Sequence, residues 1–254
     1  MTPYERSGMH LRFVQPIPHV ESPESKRRIH SLLDVSGILK SLVRLDATPA
    51  THESILRFHT KEYIEKLEHL SLRDGGDAGE CAPFSHGAFP IALLSAGGVI
   101  KAVDAVLDGS IDNAYCLLRP PGHHAERDRG RGFCLLGNVA IAALHALEAR
   151  GLRRISIIDW DVHHGNGTQQ AFYDDNRVMF VSVHQDRNYP QDSGRPSEVG
   201  EGRGAGYTLN IALPPGCGDG AYLAAMAAAC RVAAAHEPDL VIVSCGFDPA
   251  WPDP

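Results

Sequence analysis

The chain has 254 residues, of which 43% are hydrophobic and 22% are charged, and its formal net charge at pH 7 is −7. This length and composition predict one large α/β domain rather than two small ones. The acidic balance argues against direct nucleic-acid binding, which requires a basic surface, although it would attract a cationic substrate.

The cysteines and the N-terminus indicate a cytoplasmic protein. The six cysteines are scattered and form no CxxC pair, and most lie in apolar runs such as VIVSCGF. We therefore expect reduced cysteines in the core. The N-terminal stretch MTPYERSGMHLRF has no long apolar segment, and the first twenty residues are predicted to be irregular. We expect neither a signal peptide nor a membrane anchor there, and no membrane partner.

The first half of the chain is predicted to be mainly helical. Ser22 and Pro23 are typical of a helix start, and Thr51 followed by Glu53 indicates the start of a second helix. The segment KEYIEKLEHL continues as helix. Residues 72–88 are Gly-rich and polar and predict a loop, and the long apolar helix that follows ends at Gly109.

In the second half, short apolar strands alternate with helices. The predicted strands are residues 113–118, 153–160, 178–184, 207–213 and 239–247. The predicted helices are residues 135–151, 167–175 and 219–238. This alternation predicts a mainly parallel central sheet covered by helices on both faces, which is a three-layer α/β/α fold.

Four of the predicted strands are followed by unusual polar residues, in the stretches RPPGHH, DWDVHHG, HQD and GFD. Ligands of open parallel sheets bind beyond the carboxyl ends of the strands. We therefore expect these four stretches to converge on one rim of the sheet and to form a site there.

The stretches DVHHG and GFD predict a metal centre. Asp161 and His163 are two residues apart, so in extended backbone both side chains point the same way. Asp248, after another strand, would be the third ligand. Three ligands leave a position open for water, as in catalytic zinc sites, and the same donors suit Fe(II), Co or Mn. The alternative is that these side chains only hydrogen-bond loop backbone.

The stretch RPPGHH places His123 and His124 after a rigid segment of two prolines and a glycine. Adjacent histidines at such a point suit proton transfer better than chelation, since a neutral imidazole can take a proton from water and pass it to a leaving amine. The alternative is an exposed histidine pair without a function.

The motifs RPPGHH, GFCLLGNVAIAA, DWDVHHGNGTQ, VSVHQD and SCGFD occur in this order and resemble the histone deacetylase superfamily. The similarity is greatest to its class II-like branch, with the bacterial histone deacetylase-like amidohydrolases and the acetylpolyamine amidohydrolases. This resemblance implies an arginase/deacetylase-like fold in a single domain over residues 1–254. It also implies zinc-dependent hydrolysis of an acetylated lysine peptide or an acetylpolyamine to acetate and free amine.

The resemblance also implies roles for particular residues. Asp161, His163 and Asp248 match the zinc ligands, with Fe2+ or Co2+ as alternatives. The catalytic group comprises His123, His124, Asp159 and Asn166. Gly132 and Phe133 match the wall of the acyl-lysine tunnel. A structural potassium ion is implied at Asp159, Asp161, His163, Ser182 and Val183.

One family feature has no counterpart in this sequence. The family stabilises its oxyanion with a tyrosine from a Gly-Gly-Tyr loop beyond the GFD strand, and this chain contains no Gly-Gly-Tyr. Tyr189 and Tyr207 lie in other strand contexts. We therefore expect an incomplete domain, and a family member that binds metal or ligand with little turnover is the alternative function. A third alternative, an arginase-like dimetal enzyme, would need more carboxylates than these motifs supply. The sequence does not determine whether the protein forms a homo-oligomer.

Overall fold

The computed structural model describes residues 21–250 and 253, and the predictions for the first twenty residues lie outside this range. The chain divides into two compact units. The first comprises the chain up to Gly122 together with Asp128–Ala142, and the second comprises His123–Arg127 and the chain from Ala143 onward. That residues 1–254 form a single deacetylase domain stays a prediction.

The first unit is mainly helical, as predicted. Its helices are α1 (Pro23–Val35), α2 (His52–Leu56), α3 (Lys61–Ser71), α4 (Ala88–Leu107) and the first turn of α5 (Asn138–Glu148). Pro23 occupies the first turn of α1, as predicted, and its fixed φ suits that position. The Thr51 hydroxyl accepts a hydrogen bond from the Ser54 N–H at 3.2 Å, which confirms the predicted start of α2.

Residues 72–88 are not all loop, in contrast to the prediction. They contain the two-residue strands β1 (Gly76–Asp77), β2 (Gly79–Glu80) and β3 (Pro83–Phe84), and β4 (Gly130–Arg131) follows later in the chain. β1 pairs with β3 antiparallel and β2 pairs with β4 parallel. β2 depends on a partner much later in the chain, and β1 and β3 form only two residue pairs, so the polar composition of this segment does not reveal them.

Helix α4 is the one described helix that is long and apolar enough to cross a membrane by length and composition. The core helix of a globular protein passes the same test. At Gly97 a Cβ atom would lie 1.8 Å from the Thr48 carbonyl oxygen, so this face of α4 packs directly against another segment of the same unit. The helix ends before Gly109, whose φ of +68° suits glycine, as predicted.

The second unit contains a four-stranded parallel sheet. Its strands are β5 (Ile155–Asp159), β6 (Val178–Gln185), β7 (Thr208–Leu213) and β8 (Leu240–Ser244), in the order β7-β6-β5-β8. The helices of this unit are the rest of α5, α6 (Asn166–Phe172) and α7 (Asp219–Ala235). These elements confirm the α/β fold with a parallel central sheet and flanking helices.

The two faces of this sheet bury different sets of side chains, because successive strand residues point to opposite faces. Ile158, Met179 and Val181 pack against Ala225 and Ala229 of α7. The alternate residues of β5 and β6 are also buried and include Ile157 and Phe180, and α6 contacts β6. Burying a side chain of this size contributes roughly 1.5–3 kcal/mol.

Strand β8 is less covered than predicted. Val241 and Val243 are 50% and 38% exposed, whereas every residue of β5 is buried. β8 is at an edge of the described sheet, and α7 packs mainly on the other three strands. An apolar strand therefore does not by itself indicate burial on both faces.

Two further predictions are wrong. Residues 113–118 form no strand, because no described strand supplies the backbone hydrogen bonds that a strand needs, and Tyr115 is 53% exposed. The cysteines form no disulfides, but only Cys134 is buried. Apolar neighbours in the sequence do not bury a cysteine that lies in a loop or on an uncovered face. The five exposed cysteines are Cys81, Cys116, Cys217, Cys230 and Cys245.

Candidate metal centre

The strand order changes direction beside β5. The chain passes from β5 to β6 and β7 on one side and then returns to place β8 on the other side. β5 and β8 pair in parallel from Ile155–Leu240 to Asp159–Ser244, so both strands end at the same level. A reversal of this kind is where open α/β sheets bind ligands, beyond the carboxyl ends of the strands.

Asp161, His163 and Asp248 come together beyond the carboxyl ends of β5 and β8. One possible ligand atom from each lies within 4.8 Å of the others. His163 Nδ1 lies 3.0 Å from Asp161 Oδ1 and 3.0 Å from Asp248 Oδ2. Two ligands at about 2.0–2.1 Å from one tetrahedral metal are roughly 3.3 Å apart, so this donor set fits a zinc-sized ion with a position left open.

Backbone hydrogen bonds orient both carboxylates. The Val162 N–H donates to Asp248 Oδ1 at 3.0 Å, which leaves Oδ2 facing His163. The His163 N–H donates to Asp161 Oδ1 at 2.8 Å. The carboxylates therefore accept hydrogen bonds from loop backbone, as the alternative interpretation expected, and they also converge with His163 as a possible ligand set. The segment after β5 bends at residues 161–163 instead of continuing as a strand, so the expected extended backbone is wrong.

A glycine leaves room for the carboxylates. A Cβ atom on Gly246 would lie 2.2 Å from Asp161 Oδ2 and 2.7 Å from Asp248 Oδ1. The electrostatics of the cluster favour a cation at this point. Although burial opposes its charged form, hydrogen bonds and charge from Asp161 and Asp248 raise the pKa of His163 to about 10. A metal ion would replace that proton.

The histidine pair lies beside this cluster, and each ring has its own partner. His123 Nδ1 lies 2.9 Å from Asp159 Oδ2, and His124 Nδ1 lies 2.7 Å from Asn166 Oδ1. The two rings are 3.9 Å apart between centroids. In the neutral form each Nδ1–H donates to its partner, which leaves Nε2 without a proton.

The two histidines differ in charge. Burial opposes protonation of His123, but the carboxylates of Asp161 and Asp159 outweigh it and raise the pKa of His123 to about 9. Burial and the neighbouring charge of His123 lower the pKa of His124 well below its usual value. At neutral pH His123 is therefore the charged member of the pair, and His124 is neutral with Nε2 as a proton acceptor.

Tyr189 is a neighbour of the site that the sequence did not indicate. Its ring packs edge-on against His124 at 4.9 Å and against His163 at 6.1 Å between centroids. Its carbonyl accepts the His164 N–H at 3.0 Å, which ties this loop to the segment after β5. The sequence context of Tyr189 argues against its being the family's oxyanion tyrosine, and the position of Tyr189 in the chain contained no signal for this contact.

The remaining predicted residues belong partly to the first unit and partly to the second. Gly132 and Phe133 belong to the first unit, where both have positive φ, and their N–H groups donate to the Glu80 and Cys81 carbonyls. Their assignment to a tunnel wall stays a prediction. Ser182 pairs with Asp159 across β5 and β6, and Val183 follows it in β6. Their potassium-binding role likewise stays a prediction.

Comparison with known proteins identifies the family. The histone deacetylase domain model matches residues 19–254. A histone deacetylase-like amidohydrolase from Pseudomonas aeruginosa is 46% identical over 237 residues, covering 93% of this chain and 62% of the relative. A probable deacetylase from Archaeoglobus fulgidus is 42% identical over 238 residues, covering 91% of this chain and 66% of the relative.

A solved structure agrees with these matches. The crystal structure of the HDA15 HD domain matches with a TM-score of 0.88 and 34% identity, covering 95% of this chain and 71% of that one. The fold is thus that of a deacetylase-type α/β protein. The chain belongs to the histone deacetylase family. It spans 62% and 66% of the length of the two curated relatives.

Proposed function

We propose that the protein is a zinc-dependent deacetylase that hydrolyses the amide of an acetylated lysine peptide, or of an acetylpolyamine, to acetate and free amine. The observation that carries this proposal is the convergence of Asp161, His163 and Asp248 directly beside the paired histidines. Curated relatives named deacetylases and amidohydrolases support it. The donor set also suits Fe2+ or Co2+.

The proposed chemistry uses the two histidines in different roles. A divalent metal bound by the three ligands would polarise the scissile carbonyl and lower the pKa of a water molecule. His124, neutral at Nε2, accepts a proton from the attacking water and later donates it to the departing nitrogen, as the carbon–oxygen bond forms and the carbon–nitrogen bond breaks. His123, protonated and hydrogen-bonded to Asp159, adds positive charge beside the developing oxyanion.

A potassium ion at Asp159, Asp161, His163, Ser182 and Val183 is part of the proposal. It is supported by the register that places Ser182 beside Asp159 at the end of β5. An ion there would stabilise the turn that presents the metal ligands and the partner of His123. Its test is the dependence of thermal stability on potassium, with sodium at the same ionic strength as the control.

The experiment that tests the function combines metal analysis with turnover. We expect about one zinc per chain and hydrolysis of a fluorogenic acetyl-lysine peptide that His124→Ala abolishes while zinc content is kept. His69→Ala, at an exposed position of α3, is the matched control and should behave as the wild type. Zinc without His124-dependent turnover would favour the metal- or ligand-binding alternative, and a folded protein that binds no zinc would refute the metal centre.

The substrate class is tested with the same preparation. Acetylated peptides and acetylated polyamines carry the same amide, but a polyamine adds positive charge that the acidic chain, at −7, would attract. We propose the peptide as the first substrate because histone deacetylase HDA1 of Saccharomyces cerevisiae, which bears that name, is 38% identical over 259 residues. A lower KM for acetylputrescine than for the peptide would reverse this order.

A further inference from the structure

Glu126 is a buried carboxylate two residues beyond the histidine pair, and the predicted set of site residues does not include it. Glu126 is 7% exposed, and its Oε1 accepts a hydrogen bond from Asn166 Nδ2 at 2.7 Å. Asn166 is 5% exposed and His124 is 4% exposed. His124, Asn166 and Glu126 therefore form a continuous hydrogen-bonded row away from solvent.

The chemistry of the row determines which way the Asn166 amide faces. Asn166 Nδ2 has two hydrogens, and its two neighbours are Glu126 Oε1 at 2.7 Å and the His124 carbonyl oxygen at 3.1 Å. A carbonyl and an ionised carboxylate only accept hydrogen bonds. The amide nitrogen must face them, so Oδ1 must face His124 Nδ1 and can only accept from it.

We propose that Glu126 is a positioning residue that holds the Asn166 amide with its oxygen towards His124 and thereby keeps the His124 proton on Nδ1. Nε2 of His124 is then left without a proton and faces the reaction. The inference rests on the proposed function, in which His124 Nε2 is the proton acceptor. Without Glu126 only the longer bond to the His124 carbonyl, at 3.1 Å, would hold the amide, which would then present its nitrogen to Nδ1 for part of the time and favour the other tautomer.

The fold brings these three residues together through one close contact. A Cβ atom on Gly167 would lie 2.0 Å from the Ala125 carbonyl oxygen, so the start of α6 packs directly on the segment after the histidine pair. The Gly167 N–H donates to the His123 carbonyl at 2.9 Å, and the Arg127 N–H donates to Gln170 Oε1 at 2.7 Å. These hydrogen bonds hold the segment that carries Glu126 against the start of α6, which carries Asn166.

The first test removes the carboxylate and then replaces it by an amide. Glu126→Ala should lower kcat by about tenfold to a hundredfold with KM within about twofold, because misplacing a general base removes part of its contribution of about 10²–10⁴. Glu126→Gln retains an oxygen that accepts from Asn166 and should stay within about threefold of wild type. Glu62→Gln, at an exposed position of α3, is the control and should change nothing. A kcat within twofold of wild type for Glu126→Ala would overturn the proposal.

The second test exchanges the charge between the two positions. N166D alone places a second carboxylate 2.7 Å from Glu126 and should lower kcat by at least about tenfold. N166D combined with E126Q lets the new amide donate to the new carboxylate and should recover at least about fivefold of that loss. A purely structural Glu126 predicts equal kcat for the single and the double variant, and equal values would refute positioning.

A third measurement separates this inference from the proposed function. Nitrogen-15 NMR of the histidine rings reports the tautomer of His124 whether or not the protein turns over substrate. We expect the Nδ1–H tautomer of His124 in wild type and E126Q, and a mixture of the two tautomers in E126A. The thermal unfolding of E126A is recorded as a control for its folding. If wild type hydrolyses no acetylated amine but shows this pattern, the proposed function fails and the positioning role stands. The same tautomer in all three proteins would overturn the positioning role.

Discussion

Replacement of Gly246 by alanine should disable the proposed metal centre without unfolding the protein. Gly246 lies in the loop between β8 and Asp248, and a Cβ atom there would be 2.2 Å from Asp161 Oδ2, 2.7 Å from Asp161 Cγ and 2.7 Å from Asp248 Oδ1. Ordinary contacts of a Cβ atom begin near 3.4 Å. The Asp161 carboxylate must therefore move by about 1 Å or more, whereas metal–ligand distances tolerate about 0.2 Å.

The expected loss of affinity follows from this displacement. Changes behind the metal ligands typically cost about 10–100-fold in metal affinity, and G246A displaces a ligand itself. We expect zinc affinity to fall by about 100-fold or more, which is about 2.8 kcal/mol. Competition with a chromophoric chelator measures the affinity, and the optical spectrum of the cobalt-substituted protein reports the ligand geometry.

A matched glycine controls for the substitution itself. Gly220 lies in α7, where a Cβ atom would meet nothing within 4 Å, so G220A should retain wild-type zinc affinity and should be stabilised by up to about 1 kcal/mol. Both variants should unfold in one cooperative transition. If G246A bound zinc as tightly as G220A, the ligand assignment of Asp161 and Asp248 would be wrong.

Three further predictions concern stability and charge. Ile157→Ala, at a fully buried position of β5, should cost about 2–5 kcal/mol in urea unfolding, while Val241→Ala at a half-exposed position should cost under about 1 kcal/mol; equal costs would contradict the described core. Burial and a neighbouring histidine lower the pKa of His164 to about 3, so the unfolded chain binds a proton below about pH 6.5 that the folded state does not. The contribution of His164 to the unfolding free energy should therefore fall by about 1.4 kcal/mol per pH unit as the pH drops from 6.5 to about 3, and His164→Gln should show a shallower slope than wild type over that range. Asp159→Asn removes one of the carboxylates that raise the pKa of His123 to about 9, so an NMR titration of the metal-free protein should show a lower midpoint; an unchanged midpoint would contradict that pairing.

Local sequence was sufficient to predict the helices and strands whose residue pattern repeats over a short interval. The strands β5 and β6 and the helices α4 and α7 follow from apolar runs and helical spacing, because their hydrogen-bonding pattern and burial repeat over short intervals. The polar residues after β5 were equally informative about a site, although the bend of the backbone there was not predicted. Two carboxylates and two histidines directly after a buried strand need a partner, and Asp161 and His163 do contact each other.

Other features depended on contacts between distant segments. Residues 113–118 have the composition of a strand, but a strand needs a neighbour that hydrogen-bonds to it, and none of the described strands does so. The exposure of Cys245 and of Val241 depends on which helix covers β8, and that is a property of the packing. A residue type indicates whether a side chain tends to be buried, but not which neighbouring segments cover it.

The site combines both kinds of information. The sequence by itself determined which residue types follow the strands, and hence that a metal and a proton-transfer pair were to be expected. Only the tertiary structure decided that β8 lies beside β5, which brings Asp248 to His163, and that α6 packs on the segment carrying Glu126. The reason is physical: strand order and helix packing are set by the joint burial of many distant side chains, whereas a motif of nine residues encodes only its own spacing.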